Sequence, residues 1–428
     1  MNIDQNSVIF DPASTVDSFG RVFHYQDEVY RAITPNGAPQ SEIILQMADK
    51  WETFGLVKTR RSELTLKGYP LTIWHEKIPY QNYCMEWLPE MLKDAALQFL
   101  RLNLQLIKDG YMTKDGHPWN IFFQRWRPVF IDIGSIVPFD KKVFQKSMQE
   151  FRSYFWLPLI MFAKEGCGKT YDFLKLPIPN HKYRNSLANE MHIPSYVSPK
   201  FLPERFGVKR LIRQISRMEI DYNKSTTWSN YNQREISIDE PQEFPEKQGV
   251  VYKFISTLTG GSLLDIGSNK GWFSRLANSL GFNVIAIDND IPSLTRLYQM
   301  AKRERLNILP LYVDFSKPTE SHGLKNGYPS FEDRIHCDVV LAMAMVHHLT
   351  YKSKMTFEEI SRRMGKLSKR YAVVEFIPKE DYYVSKWDHT GMEWYNSKCF
   401  IEAFMKEFKN YKVFPSSPSP REIYIFEK

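Results

Sequence analysis

The sequence predicts an α/β chain in which a doubly wound sheet at the C-terminal end follows an α+β domain. Three observations lead there. The 428 residues exceed what a single hydrophobic core ordinarily serves. Apolar runs alternate with amphipathic segments over roughly the last 180 residues, as a doubly wound sheet demands. Ser262 to Asp290 reads strand, glycine turn, helix, strand, acid, the grammar of a nucleotide-binding βαβ unit.

Bulk composition narrows the class. With 43% hydrophobic and 25% charged residues the chain is globular rather than disordered. The net charge of +8 permits an anionic partner without requiring one. Cys84, Cys167, Cys337 and Cys399 are scattered, with no CxxC pair. They read as reduced thiols of a cytoplasmic protein without structural zinc, and no metal site is expected from them. The start MNIDQNSVIFDPAS lacks the basic and apolar blocks of a signal peptide. The longest apolar stretch, Phe155 to Ala163, is too short to span a bilayer.

In the front half, Phe19 to Ile33 predicts a strand pair around Gln26-Asp27, and Ser41 to Gly55 a helix. Leu71 to Ile78 and Tyr83 to Trp87 read as strands. Leu92 to Lys108 is an amphipathic helix with Leu97, Leu100, Leu104 and Ile107 on one face, ended by Gly110. Ile121-Phe123 and Pro128-Ile131 then form a hairpin flanked by Asp115, Asn120 and Asp132. An Asp, four residues, an Asn, a short hairpin and Asp-x-Gly resemble the catalytic core of protein-kinase-like folds. The resemblance covers about residues 15 to 180. It implies that Asp115 orients an acceptor hydroxyl, and that Asn120 and Asp132 bind magnesium beside ATP. The kinase lysine is replaced in VYRAI by Arg31, placed to pair with Glu42 on the following helix, and a guanidinium fork differs from a lysine point charge. Thr113-Lys114 stands where the kinase loop carries His-Arg, and no glycine-rich loop precedes the strand pair. These departures favour a degenerate scaffold, with Asp115, Asn120 and Asp132 as turn and cap residues, over phosphotransfer.

Ala163 to Thr170, AKEGCGKT, is one glycine short of a phosphate loop and lacks the strand that should precede one. Tyr154 to Phe162 instead predicts a buried helix. Val208 to Met218 sets Arg210, Arg213 and Arg217 on one helical face, ordinarily a solvated one. Residues 1–220 are thus assigned to the kinase-like domain, 221–248 to a polar junction and 249–428 to the second domain. Trp228 and Tyr231, in the junction, are candidates to lie over the second domain's ligand.

In the second domain, a helix over Val250 to Leu258 precedes the first strand. Asp265-x-Gly267-x-x-x-Gly271 follows, then an amphipathic helix stopped near Gly281, and a strand ending at Asp288. A backbone turn passing close to a ligand has no room for side chains at its contact points, which suits Gly267 and Gly271. Asp288 suits a ribose diol, since a carboxylate accepts two hydrogen bonds. Further elements are predicted at Ile291–Glu304, Leu309–Val313, Asp338–Ala342, Tyr371–Phe376 and Phe400–Phe408. Val384 to Tyr395 reads as an insertion, and Lys412–Pro415 with Glu422–Glu427 as a closing antiparallel pair.

DxGxxxG with its leading acid resembles motif I of class I S-adenosylmethionine-dependent methyltransferases, whose sheet is Rossmann-like. The whole chain resembles a bacterial group with a degenerate kinase-like front and a methyltransferase back, grouped with nodulation and surface-polysaccharide methyltransferases. The signatures are VYRAI, KDGHPWN, PVFIDIGS, LDIGSNKGWFS, VDFSKP, VLAMAMVHHL and VEFIPKED. The resemblance implies S-adenosylmethionine as cofactor, held by Asp265, Gly267, Asn269, Gly271 and Asp288. It implies Asp314 on the adenine amino group and Phe315 on the ring. Lys270 stands where a small or polar residue is commoner.

Transfer of a methyl to a hydroxyl calls for in-line positioning and a base. His348, ahead of His347, and Glu375 at the end of the fifth strand are the candidates. The alternative for the histidines is a helix cap with His347 packed inside, and for Glu375 a buried carboxylate bonded to backbone N–H groups. The expected function is O-methylation of a glycan or related small-molecule acceptor presented by the kinase-like domain. The alternatives are a bifunctional kinase–methyltransferase using ATP and magnesium, and a non-catalytic scaffold. No RNA-binding pattern of basic and aromatic residues is present, so nucleic acid is a remote partner. Oligomeric state has no signature in the sequence.

Overall fold

The computed structural model describes residues 1–14, 18–175, 181–190, 204–220, 237–323 and 326–428. Trp228, Tyr231 and most of the predicted junction lie outside them. The chain divides into two compact units: Met1–Asp221 with Ser321–Pro329, and Tyr222–Glu320 with Ser330–Lys428.

The first unit contains a five-stranded antiparallel sheet, in spatial order Ile9–Phe10, Gly20–Tyr25, Glu28–Ile33, Leu71–His75, Thr59–Arg61. The predicted turn is there: Gln26 and Asp27 take φ of 49° and 66°, as a two-residue hairpin requires. Ala38–Glu52 forms the helix after the third strand. Pro89–Lys108 is the central helix, burying Leu92, Ala96, Phe99, Leu100 and Leu106 along one side. Ile121–Gln124 and Arg127–Phe130 pair as the predicted hairpin.

Tyr83 to Trp87 is not a strand. Cys84–Glu86 makes a 3-10 turn, because the Glu86 carboxylate accepts the Tyr83 N–H at 3.1 Å and curls the chain back. The region of Tyr154 to Phe162 is helical and buried as expected, with a π turn at Arg152–Trp156. Pro158 follows, and it has no N–H to give to the preceding turn. The phosphate-loop lookalike is simply the end of that helix at Lys164 and the start of another at Cys167.

The second unit is a seven-stranded sheet in spatial order Ile308–Tyr312, Phe282–Asp288, Gly261–Ile266, Cys337–Ala342, Ser368–Phe376, Glu422–Glu427, Asn410–Pro415. Numbered by chain position that is 3-2-1-4-5-7-6. The first five strands run parallel and the last two close the sheet antiparallel. The central strand is held from both sides: Leu263 lies opposite Val284 and Val339, and Asp265 opposite Ala286 and Leu341. It buries Leu263 and Leu264 completely, as a strand covered on both faces must. Order reverses beside this strand, so the crevice at its carboxyl end is where such sheets bind ligands.

Among the described residues, no helix is long and apolar enough to cross a membrane. None of their His, Cys, Asp and Glu side chains form a group of three or more that could hold a metal ion. All four cysteines are free thiols.

Candidate active site

The turn after the central strand is built by backbone geometry. Gly267 takes φ +71°, Asn269 +50° and Gly271 +79°. The N–H groups of Gly267 and Ser268 both donate to the Ile287 carbonyl, at 2.9 and 3.1 Å, which ties the turn to the neighbouring strand. A Cβ on Gly267 would sit 2.2 Å from Met345 Sδ, and one on Gly271 would sit 2.4 Å from Leu297 Cδ1. Gly271 caps the helix Trp272–Ser279. The glycines are therefore required by protein packing as well as by any ligand.

Asp288 is bound into this turn. Its Oδ2 accepts the Asn269 N–H at 2.7 Å and its Oδ1 the Asp290 N–H at 2.9 Å. Burial raises its pKa while these bonds act to lower it. Asp265 lies deeper. It is 2% exposed and accepts the Ser274 hydroxyl at 2.6 Å, and burial pushes its carboxyl up to about 7, with Asp288 adding to the rise. Asp265 thus positions the turn from beneath more than it offers a surface. Asp314, just past the third strand, accepts the N–H and the hydroxyl of Ser316 at 2.8 and 2.7 Å.

Phe315 is 4% exposed, with the Arg363 guanidinium 5.5 Å from its ring centroid. Arg363 also donates to the Phe315 carbonyl. The expected open ring face for a purine is therefore absent: the side chain is packed inward.

His347 and His348 open the helix Val346–Tyr351, just past the fourth strand. The rings lie 4.0 Å apart, and each is 5.5 Å from Trp387. Burial, then His348, Arg421, Lys247 and Lys352, hold His347 well below the ordinary histidine value. Burial and then Lys352 bring His348 down to about 4. Both rings are neutral at pH 7 and able to accept a proton. His347 is 6% exposed and its Nδ1 is buried without a hydrogen-bond partner. Ala344, just before the pair, has φ +54°, an uncommon conformation for a residue with a Cβ.

Glu375 is not placed to act as a base. It is fully buried, its Oε1 accepts the Ser416 hydroxyl at 2.7 Å, and Lys247 Nζ lies 2.7 Å from its Oε2. A buried carboxylate held by an ion pair of this kind fixes local geometry, and its burial keeps it from an acceptor.

Lys247, Ala344, Met345, Trp387 and Ser416 escaped the sequence reading. Only tertiary contacts bring them to the strand ends. Trp387 sits on the expected insertion, which is anchored by Arg421 Nε on Asp381 at 2.8 Å and by the Tyr395 hydroxyl on the Ile377 carbonyl at 2.8 Å.

In the first unit, backbone bonds gather the kinase-like residues. The Asp115 N–H donates to Ser135 Oγ at 3.1 Å, and the Ile131 N–H to the Asn120 carbonyl at 2.9 Å. Asp132 Oδ1 accepts the Gly134 N–H at 3.1 Å. Arg31 does not pair with Glu42. Arg31 is bonded to Asp132 at 3.2 Å, and Glu42 pairs with Arg61 instead. Arg31 and Arg61 lie on different strands, and Arg61 lies nearer the solvent with Glu42, each about half exposed. Arg31 is 6% exposed and turns inward to the acid of Asp-x-Gly.

The sequence is similar to a nodulation protein. Nodulation protein NoeA of Rhizobium meliloti is 25% identical over 457 aligned positions, which span 96% of this chain and 94% of that protein. No family model matches the sequence. Among solved structures, the bifunctional kinase-methyltransferase WbdD aligns at 15% identity with a TM-score of 0.33, over 50% of this chain and 45% of that one. The chain therefore spans less than half the length of that protein. Magnesium protoporphyrin IX methyltransferase from Synechocystis, solved with bound SAH, aligns at 12% identity with a TM-score of 0.30, over 46% of this chain and 90% of that one. By its own strand order the second unit is a Rossmann-like, doubly wound sheet, and the first unit carries a five-stranded antiparallel sheet.

Proposed function

We propose that the chain is an S-adenosylmethionine-dependent methyltransferase acting on a hydroxyl of a glycan or related acceptor in the cytoplasm. The observation that carries the reading is the Asp288 carboxylate locked to the Asn269 N–H at the mouth of the second strand. It presents an acid beside a glycine turn at the point where strand order reverses. The donor set suits the cofactor. Asp288 and Asp314 stand at the ends of two adjacent strands, with Asp265 beneath the turn, acids suited to a ligand that offers a diol, an amino group and positive charge. When bound, S-adenosylmethionine supplies an electrophilic methyl group.

The protein's share is positioning and proton handling. Asp288 orients a ribose diol, Asp314 an adenine amino group, and the turn from Gly267 to Gly271 lets the backbone approach. His348 holds a neutral ring nitrogen able to take the acceptor hydroxyl's proton, and Trp387 supplies an apolar face against which a sugar ring can lie. We assign residues 249–428 to transfer and 1–220 to binding or presenting the acceptor. Among the described residues nothing favours magnesium-dependent phosphotransfer, since Asp132 is engaged by an arginine.

Calorimetry with S-adenosylhomocysteine tests the reading. The wild-type chain should bind and Asp288→Ala should not. Undiminished binding by Asp288→Ala would remove the cofactor assignment, and failure of both proteins to bind would favour a scaffold.

A further inference from the structure

A short segment distant in sequence packs within the first unit, against Tyr83. Residues Ser321–Pro329 belong to the first unit, although in sequence they follow the third strand of the second sheet. Within them His322 and Tyr328 face each other in an antiparallel bridge. The His322 N–H donates to the Tyr328 carbonyl and the Tyr328 N–H to the His322 carbonyl, both at 3.0 Å. The two rings stack with centroids 5.2 Å apart and planes 17° apart. Gly323 takes φ +80°, and a Cβ there would fall 2.4 Å from the Tyr328 ring. The bridge is thus closed around its own aromatic pair.

The pair presses on Tyr83, with centroid distances of 4.9 Å from His322 and 5.6 Å from Tyr328, both edge-on. Tyr83 is 2% exposed and leads into the Cys84–Glu86 turn between the sheet and the central helix. Burial pushes the Tyr328 hydroxyl up to about 12, and the charges of Asp11 and Asp132 add to the rise. Asp11 follows the first strand, at the loop that in kinase-like folds covers the phosphates. Asp132 occupies the position that holds the metal. Tyr328 therefore feels the charge of both acids while lying against Tyr83, at the join of sheet and central helix beside which the base of a nucleotide would have to lie. Arg31 already neutralises Asp132, and an arginine keeps its charge at any physiological pH.

We propose that the nucleotide cleft of this unit, beside Tyr83, is occupied by the chain's own His322 and Tyr328 and is thereby closed to adenine nucleotides. A covalently supplied occupant competes at high effective concentration. To enter, a nucleotide must expel two stacked rings from Tyr83, and its metal must displace Arg31 from Asp132. The inference does not depend on the methyl-transfer reading.

The test is calorimetric titration of the full chain with ATP and magnesium, in excess S-adenosylhomocysteine to fill any adenosyl site of the second unit. The wild type and Tyr328→Phe should show no binding. His322→Ala/Tyr328→Ala should gain it, with affinity at least about tenfold above any wild-type signal. Gly323→Ala, whose new methyl drives the Tyr328 ring aside, should gain it too, and this milder change covers the case in which the double variant fails to fold. Circular dichroism and cooperative melting establish that each variant is folded. Equal binding by wild type and folded opened variants would overturn the proposal. So would absence of binding in opened variants that remain folded.

Discussion

Lys247 Nζ lies 2.7 Å from Glu375 Oε2, the lysine 15% exposed and the carboxylate wholly buried. A buried pair gains little over an apolar pair of the same shape, yet removing one partner strands the other. Lys247→Met should therefore lower stability by about 3–5 kcal/mol. Lys247→Met/Glu375→Leu should recover much of that loss. Urea denaturation of the four proteins of this cycle measures the coupling. A Lys247→Met chain as stable as wild type would show that the pair does not hold the strand end.

Gly267 and Gly281 separate two costs that a glycine can hide. Both have positive φ, but a Cβ on Gly267 meets Met345 Sδ at 2.2 Å while one on Gly281 meets nothing within 4 Å. Gly281→Ala should cost only the backbone term, about 1 kcal/mol. Gly267→Ala must also move Met345, the residue leading into the histidine helix. It should cost clearly more in thermal unfolding and weaken cofactor binding about tenfold or more. Equal effects of the two changes would mean that Met345 yields freely and that the turn tolerates side chains.

Much of the second unit was legible because its signals are local. Ile291–Glu304 has the predicted bounds, and in the structure Asp290 caps it by accepting the Ser293 N–H while Lys302 and Arg303 lie in its last turn. Glu422–Glu427 was legible from its short continuous apolar run, Ile423 to Phe426, all four of which are buried. The failures are residues whose environment comes from far away. Glu375 is an acid at a strand end in sequence, and only Lys247 and Ser416 make it structural. Phe315 was read as a ring for the adenine, but Arg363 covers it. Arg31 has an acid in reach on the next helix, yet the fold turns it inward to Asp132. The 3-10 turn at Cys84–Glu86 was missed because a single side-chain bond from Glu86 overrides an apolar run that reads as a strand.

Asp265 predicts a pH dependence of stability in the cofactor-free chain. Its carboxyl is raised from 3.8 to about 7, chiefly by burial. The folded chain therefore holds this proton more tightly than the unfolded chain. The associated stability is fully present below the unfolded value and is lost as pH rises toward 7. Asp265→Asn keeps an acceptor for the Ser274 hydroxyl without the charge. It should abolish this component of the slope and be the more stable protein at pH 8, by on the order of 2–4 kcal/mol. Melting temperatures across pH 4 to 8 check this, and parallel curves for the two proteins would place the Asp265 carboxylate in a better-solvated setting.

His348 sets a second pH dependence, of activity rather than stability. Burial and Lys352 bring it down to about 4, so it is neutral and able to accept a proton throughout the range above that value. If it takes the acceptor's proton, kcat/KM should show no acid limb near the ordinary histidine value and should fall only as pH approaches about 4. Lys352→Gln removes a cation that favours the neutral ring, so the limb should move upward. His348→Gln should lower kcat by about 10²–10⁴-fold while leaving S-adenosylhomocysteine affinity intact. The His348 ring titration by NMR, followed beside the rate profile of the same variants, ties the limb to this residue. A wild-type limb at the ordinary histidine value that Lys352→Gln leaves in place would exclude His348 as the base, and His347, held well below that value, could not replace it.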